Sequence, residues 1–189
     1  MFISAKVAIE KGWIKRADGQ EINPSCIQPN AIDFTVDRVF ELTEGSLKVA
    51  DIEDGEGLKT VKEFPATVEL IAQEDTDPKF NRVPLWTLEP RTSYDIASEF
   101  YVQLPEGVAA LLIIRSTFNR GSVFLTSGLY DSGYEGAIGA ALHNNAKTTA
   151  HVGKGIRVGQ IIFVKSDSVG KYTGGYNHEA GTVWQDGSN

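Results

Sequence analysis

Residues 115–144 read RSTFNRGSVFLTSGLYDSGYEGAIGAALHN. Two arginines stand beside hydroxyls (Arg115, Ser116, Thr117, Arg120), and a small-residue turn follows (Thr126, Ser127, Gly128). Asp131 then precedes a glycine-framed aromatic, Tyr134. Guanidinium groups and hydroxyls suit a polyphosphate, because arginine presents several donors in a fixed fork and does not lose its charge. An aspartate just past a turn can orient a water, and an aromatic beside it can pack against a sugar or a base. In outline this is a nucleotide site.

Around this stretch the chain reads as mostly β. Residues 107–114 and 159–164 are continuous apolar runs, as expected of strands buried on both faces. Residues 32–36 and 67–71 alternate in polarity, and 101–104 lead into the turn Pro105-Glu106-Gly107. Near the start, Ser4 can cap a short helix in which Val7, Ala8 and Lys11 recur at helical spacing, with Gly12 ending it. Two acidic, turn-rich segments, 51–57 and 74–82, read as solvated loops or hairpin tips. Nineteen glycines supply the turns of a sandwich or jelly-roll barrel. No second domain or internal repeat is visible, so 1–189 reads as one domain, with about 170–189 as a C-terminal arm.

Composition narrows the function. At 189 residues the chain can bury one good core and is short for two. A formal net charge of −7 argues against a broad surface for nucleic-acid polymers, though a few convergent arginines can still make a cationic pocket for a mononucleotide. One cysteine, Cys26, excludes an intramolecular disulfide and reads as a small buried hydrophobe. The absence of an apolar run of membrane-spanning length or a signal-peptide core points to a cytoplasmic protein with no membrane contact. A zinc nucleobase deaminase needs a His/Cys/Cys or three-Cys site, which one cysteine and three scattered histidines do not supply. GxSxG is also absent, and the run from Gly153 to Gly159 misses the dinucleotide fingerprint, reading better as a β-turn.

Several segments together resemble the superfamily of trimeric dUTPases and dCTP deaminases. Ile27-Gln28-Pro29-Asn30-Ala31-Ile32-Asp33 is similar to the deaminase segment IQPxSID, with Asp33 on the aspartate of the first dUTPase motif. Arg115-Ser116-Thr117 and Arg120 match RSSxxR. Thr126-Ser127-Gly128, Asp131 and Gly133 resemble TAGxxDPG. The run from Gly155 to Gln160 is similar to the fourth motif, GxRIxQL. Lys171, Tyr172, Gly174, Gly175 and Tyr176 look like the C-terminal arm that folds over bound nucleotide. The resemblance implies a distorted jelly-roll or β-barrel of the dUTPase-like (β-clip) type with a short N-terminal helix.

The departures shift the expected chemistry. The dCTP deaminases carry their proton-shuttling glutamate ten residues after the motif aspartate, and here that position is Ala141, whose methyl can neither accept nor donate a proton. The run GYEGAIGAALHN instead resembles the third dUTPase motif, in which that position is apolar. Tyr134 falls on the dUTPase tyrosine that packs on deoxyribose. Gly133 stands where dUTPases have a second aspartate, and the base-binding stretch between Arg120 and Asp131 is one residue shorter than in typical deaminases.

By this resemblance, Asp131 activates the water that attacks the α-phosphorus of dUTP, releasing pyrophosphate. Arg115, Ser116, Thr117 and Arg120 bind phosphate, and Thr126, Ser127 and Gly128 lie in the base-binding loop. Arg157, Gln160, Lys171, Tyr172 and Tyr176 complete the nucleotide contacts. Mg²⁺ rides on the triphosphate, with Asp33 reaching it through a water. The assembly implied is a homotrimer with sites at subunit interfaces. Two rivals remain: a dCTP deaminase, with or without hydrolysis, and a non-catalytic nucleotide-binding regulatory trimer. The bland readings are a turn role for Asp131, core packing for Tyr134, backbone bonding for Gln160, a solvated Glu135 and a strand end at His143.

Overall fold

The computed structural model describes residues 1–53, 55, 57–80, 82–167, 170–174 and 177. The chain opens with β1 (Phe2–Ile3), helix α1 (Ala5–Glu10) and β2 (Ile14–Arg16). Next come β3 (Ile32–Thr35), β4 (Arg38–Leu42), β5 (Lys48–Glu53), β6 (Leu58–Glu63), β7 (Thr67–Glu69) and β8 (Gln73–Glu74). The middle holds β9 (Pro84–Leu88), β10 (Thr92–Gln103), β11 (Val108–Ile114) and helix α2 (Ser116–Arg120). The last strands are β12 (Val123–Thr126), β13 (Leu129–Tyr130), β14 (Glu135–Asn144), β15 (Ala150–Gly153) and β16 (Arg157–Lys165).

Two antiparallel sheets enclose the core. One runs β1-β16-β11-β13, with β3 also on β16; the other runs β12-β14-β10-β4-β7, with β2 also on β10. A smaller sheet, β15-β9-β8, and a separate hairpin, β5-β6, complete the pattern. Phe34, Ile96, Phe100, Ile138, Leu142, Ile161 and Phe163 fill the space between the sheets. Each is apolar on the inward side of its strand, so burial selects the register. No helix among the described residues is long and apolar enough to cross a membrane.

The local expectations hold with instructive exceptions. Ser4 does cap α1, its hydroxyl accepting from Val7 N–H at 3.4 Å, and Gly12 follows with φ +69°. The buried stripe of α1 is Ala5 and Ala8, however, while Val7 is exposed. Strand β3 does not alternate: all four of its residues are buried. Residues 67–71 form only a three-residue edge strand, with Val68 and Ile71 exposed. Cys26 is buried, and that burial pushes its thiol above the usual range.

Candidate active site

The cationic end begins where β11 runs out. Arg115 occupies the N-cap position of α2 in extended conformation, its N–H bonded to Val158 O at 2.9 Å. Ser116, Thr117 and Arg120 on α2 are exposed, while Phe118 turns inward onto the core. Strand β16 lies alongside β11 and pairs on its other side with β3, in a register that sets Gln160 opposite Asp33.

Asp33 is fully buried and four side chains converge on it. Gln160 Nε2 donates to Oδ1 at 3.1 Å, and Gln28 Nε2 donates to Oδ2 at 3.0 Å. Arg157 Nη1 donates to Oδ2 at 3.3 Å and to Ser25 O at 3.0 Å. Arg115 Nη1 stands 2.7 Å from Oδ2 in an ion pair without hydrogen-bond alignment, so its buried N–H groups are aimed at no acceptor. A buried carboxylate demands such partners. One anion between two guanidiniums leaves a net positive charge facing outward, which suits an incoming phosphate. Gln160, expected to bond buried backbone, instead bonds this carboxylate.

The acidic end is built on a turn. Tyr134 N–H bonds Asp131 O at 3.0 Å, and Gly133 sits at φ +82°, where a side chain is strained. A Cβ there would also lie 2.6 Å from the Lys171 Cβ. The turn is fixed to Leu104 by two backbone bonds, and Ser132 Oγ donates to Val108 O at 3.2 Å. Asp131 is exposed, and its side chain has no hydrogen bond or ion pair among the described residues. Tyr134 is buried between Tyr130 and Tyr172, with ring centroids 5.4 and 5.6 Å away. Its hydroxyl donates to Ala137 O at 2.8 Å. Tyr130 donates to Gly139 O at 2.7 Å, and burial raises its hydroxyl above the ordinary range.

The C-terminal segment reaches this turn within the same chain: Tyr172 N–H bonds Ser132 O at 2.7 Å, and Lys171 lies exposed over Gly133. Tyr176 lies outside the described residues. Glu135 is not simply solvated, since it accepts from the Tyr101 hydroxyl at 3.1 Å and from Gln103 Nε2 at 3.2 Å.

Thr126, Ser127 and Gly128 are exposed on the connection from β12 to β13. Thr126 pairs across with Ala141, and the other neighbour of Ala141, on β10, is the buried Asp95. His143 does stand near the end of β14, but with a hydroxyl on each ring nitrogen: Ser93 Oγ and Thr126 Oγ1, both at 2.7 Å. Asp95 and Ser93 are the polar residues here that no motif marked, and His143, though inside one, was read only as a strand end. An acidic residue inside the apolar stretch around it was the one available signal for Asp95.

The two ends do not meet within one chain. Tyr130 pairs with Ala110, so Asp131 lies level with Ala109, at the start of β11, while Arg115 follows its last residue. From residue 109 to 115, six strand steps span about 20 Å. Among the described residues no group of three or more His, Cys, Asp or Glu side chains is placed to hold a metal ion. A divalent cation therefore fits this chain only if phosphate oxygens and waters supply most of its ligands.

The fold is thus a jelly-roll of β-strands with an exposed aspartate level with one end of β11 and clustered arginines at the other. Residues 5–166 match the family model described as dCTP deaminase-like, and the chain belongs to that family. It is 29% identical over 151 residues to a "Probable deoxyuridine 5'-triphosphate nucleotidohydrolase" of Methanothermobacter thermautotrophicus, covering 79% of this chain and 87% of that one. A protein of the same name from Halobacterium salinarum is 30% identical over 154 residues, covering 81% and 84%. A dCTP deaminase of Pyrobaculum calidifontis is 30% identical over 112 residues, covering 58% and 64%. The crystal structure of the 2'-deoxycytidine 5'-triphosphate deaminase from Agrobacterium tumefaciens shares the fold, with a TM-score of 0.58 at 14% identity over 86% of this chain. This chain spans about half of that one, 47%. The resemblance and the β-clip fold are thereby borne out.

Proposed function

We propose that this protein is a dUTP pyrophosphatase that converts dUTP and water to dUMP and pyrophosphate. The observation that carries the proposal is the pairing of an exposed Asp131 on its glycine turn with Ala141 at the position of the deaminase glutamate. Relatives named for dUTP hydrolysis, matched over 79–81% of this chain, support it. Asp131 orients a water and takes its proton as the oxygen attacks the α-phosphorus. Arg115, Ser116, Thr117 and Arg120 neutralise the charge that grows on the phosphate oxygens. Asp33 keeps Arg115 and Arg157 in place, an assignment its three hydrogen-bond donors and its ion pair with Arg115 favour over a contact with metal-bound water. Tyr134 and Tyr172 wall the deoxyribose and leave no room for a 2′-hydroxyl. Lys171 and Tyr176 belong to the arm over the nucleotide. Mg²⁺ on the triphosphate supplies charge neutralisation when bound.

In this proposal the site is shared between subunits, because about 20 Å separates Asp131 from Arg115 within one chain, and the family resemblance makes that assembly a homotrimer. The Arg115 end of one subunit meets the Asp131 end of its neighbour. The test is a panel of deoxy- and ribonucleoside triphosphates with Mg²⁺, scoring pyrophosphate and ammonia separately. Pyrophosphate from dUTP without ammonia from dCTP is expected, and Asp131→Asn should lose at least about a hundredfold in turnover while keeping nucleotide affinity. A second reading, dCTP deamination, is favoured by Asp95, a buried carboxylate directly across from Ala141. Ammonia from dCTP would establish that reading. Nucleotide binding with neither product would favour a regulator.

A further inference from the structure

We infer that His143 is a positioning residue for base recognition: it holds the Thr126 hydroxyl and sets whether that hydroxyl donates or accepts. The inference rests on the proposed nucleotide site and adds to it the group that reads the 4-position of the pyrimidine.

Along β14, Ile138, Leu142 and Asn144 are buried, whereas Gly139, Ala141 and His143 share the opposite, partly open face. Across from Ala141 stands Thr126, and across from His143 stand Phe124 and Ser93. Thr126 Oγ1 is exposed and lies 2.7 Å from His143 Nε2, while Ser93 Oγ lies 2.7 Å from Nδ1. Because residue 141 is only a methyl, the Thr126 hydroxyl is a polar group that flanks this position directly.

The arrangement does not serve to satisfy buried groups. Ser93 and Thr126 are both exposed and can bond water without a histidine. What the imidazole adds is direction. With the proton on Nε2, the ring donates to Thr126, whose own proton is free for an acceptor such as the 4-oxo group of uracil. With the proton on Nδ1, the ring donates to Ser93, and Thr126 must donate to Nε2. It then offers only lone pairs, which suit the 4-amino group of cytosine. The relay therefore ties base choice to a tautomer, and a ring held in the Nε2–H form favours uracil.

The test is calorimetric titration of α,β-imido dUTP, α,β-imido dCTP and inorganic triphosphate into wild type, His143→Phe, Thr126→Val and the double variant. Phenylalanine keeps a ring on the strand and removes both hydrogen bonds. In wild type the uracil analogue is expected to bind better. His143→Phe should erase about tenfold of that preference and leave inorganic triphosphate unchanged. Thr126→Val should do the same, and the double variant should add nothing, as for two members of one relay. Preference retained in His143→Phe, or effects that add in the double variant, would overturn the inference. So would equal affinity of wild type for both analogues, with the nucleotide site itself left standing. Wild type that binds inorganic triphosphate but neither analogue would instead overturn the nucleotide reading, and this inference with it.

Discussion

Asp33 shows how one buried carboxylate organises the side chains around it. Its Arg115 and Arg157 partners are 32% and 40% exposed, so removing the carboxylate lets them swing outward and relieves part of the loss. Breaking a wholly buried pair costs about 3–5 kcal/mol. For Asp33→Asn about 2–3 kcal/mol is expected on that basis, read as a lower urea midpoint at unchanged slope. A second residue-scale expectation concerns Asp18, held from 3.8 down to about 2 chiefly by its hydrogen bond to Arg16. A depressed carboxylate stabilises the fold above its unfolded value, and the contribution fades as pH falls from about 3.8 through about 2. NMR titration should place the Asp18 midpoint near 2, and Arg16→Gln should return it toward 3.8. The residues legible from sequence at this scale were those in contiguous motifs. Asp33 and its near neighbour Gln28 were visible in one motif, but the rest of its partners were not, because Arg115, Arg157 and Gln160 reach it from distant segments.

At the scale of elements, β16 is the strip on which the cationic end depends. Gly159 lies in it without room for a side chain: a Cβ would stand 2.9 Å from both Ile113 O and Leu112 Cδ1. Gly159→Ala should therefore cost about 1–3 kcal/mol through overpacking, seen as a lowered melting temperature. The apolar runs behind β11 and β16 were legible because apolar continuity survives any choice of partner strand, but burial on both faces is not what the strands show: Ile113 is exposed, and Ile162 and Val164 are only half-buried. Strand β10 was caught only near its end. Ser93, Asp95, Ser98 and Glu99 interrupt its apolar pattern, and the register with β14 shifts between Ala97 and Tyr101. Hairpin β5-β6 gave no strand signal at all. Every residue described in its two strands is exposed, so neither face had to alternate.

For the whole molecule, the decisive quantity is the length of β11. Arg115→Ala and Asp131→Asn should each abolish dUTP hydrolysis. Mixed, unfolded and reassembled together, the two inactive variants should regain a fraction of wild-type activity. Some interfaces then combine an intact Arg115 from one subunit with an intact Asp131 from another. Absence of recovery in assemblies shown to be mixed would mean that each site draws both groups from one chain. The overall architecture was readable from the strand pattern and the motifs. The separation of the two ends was implied only by the resemblance and not by the residues themselves, because adjacency in sequence hides that β13 runs back along β11 and carries Asp131 away from Arg115.

That spacing has a consequence for how such a protein behaves in a cell. If sites form between subunits as proposed, a chain that carries halves of two different sites does no work alone, and its output depends steeply on abundance. Below the concentration at which subunits associate, doubling the number of chains should more than double the activity. Above it, activity should rise only in proportion. A fixed length of strand thus becomes a dosage threshold, and diluting the purified protein while following specific activity would reveal where that threshold lies.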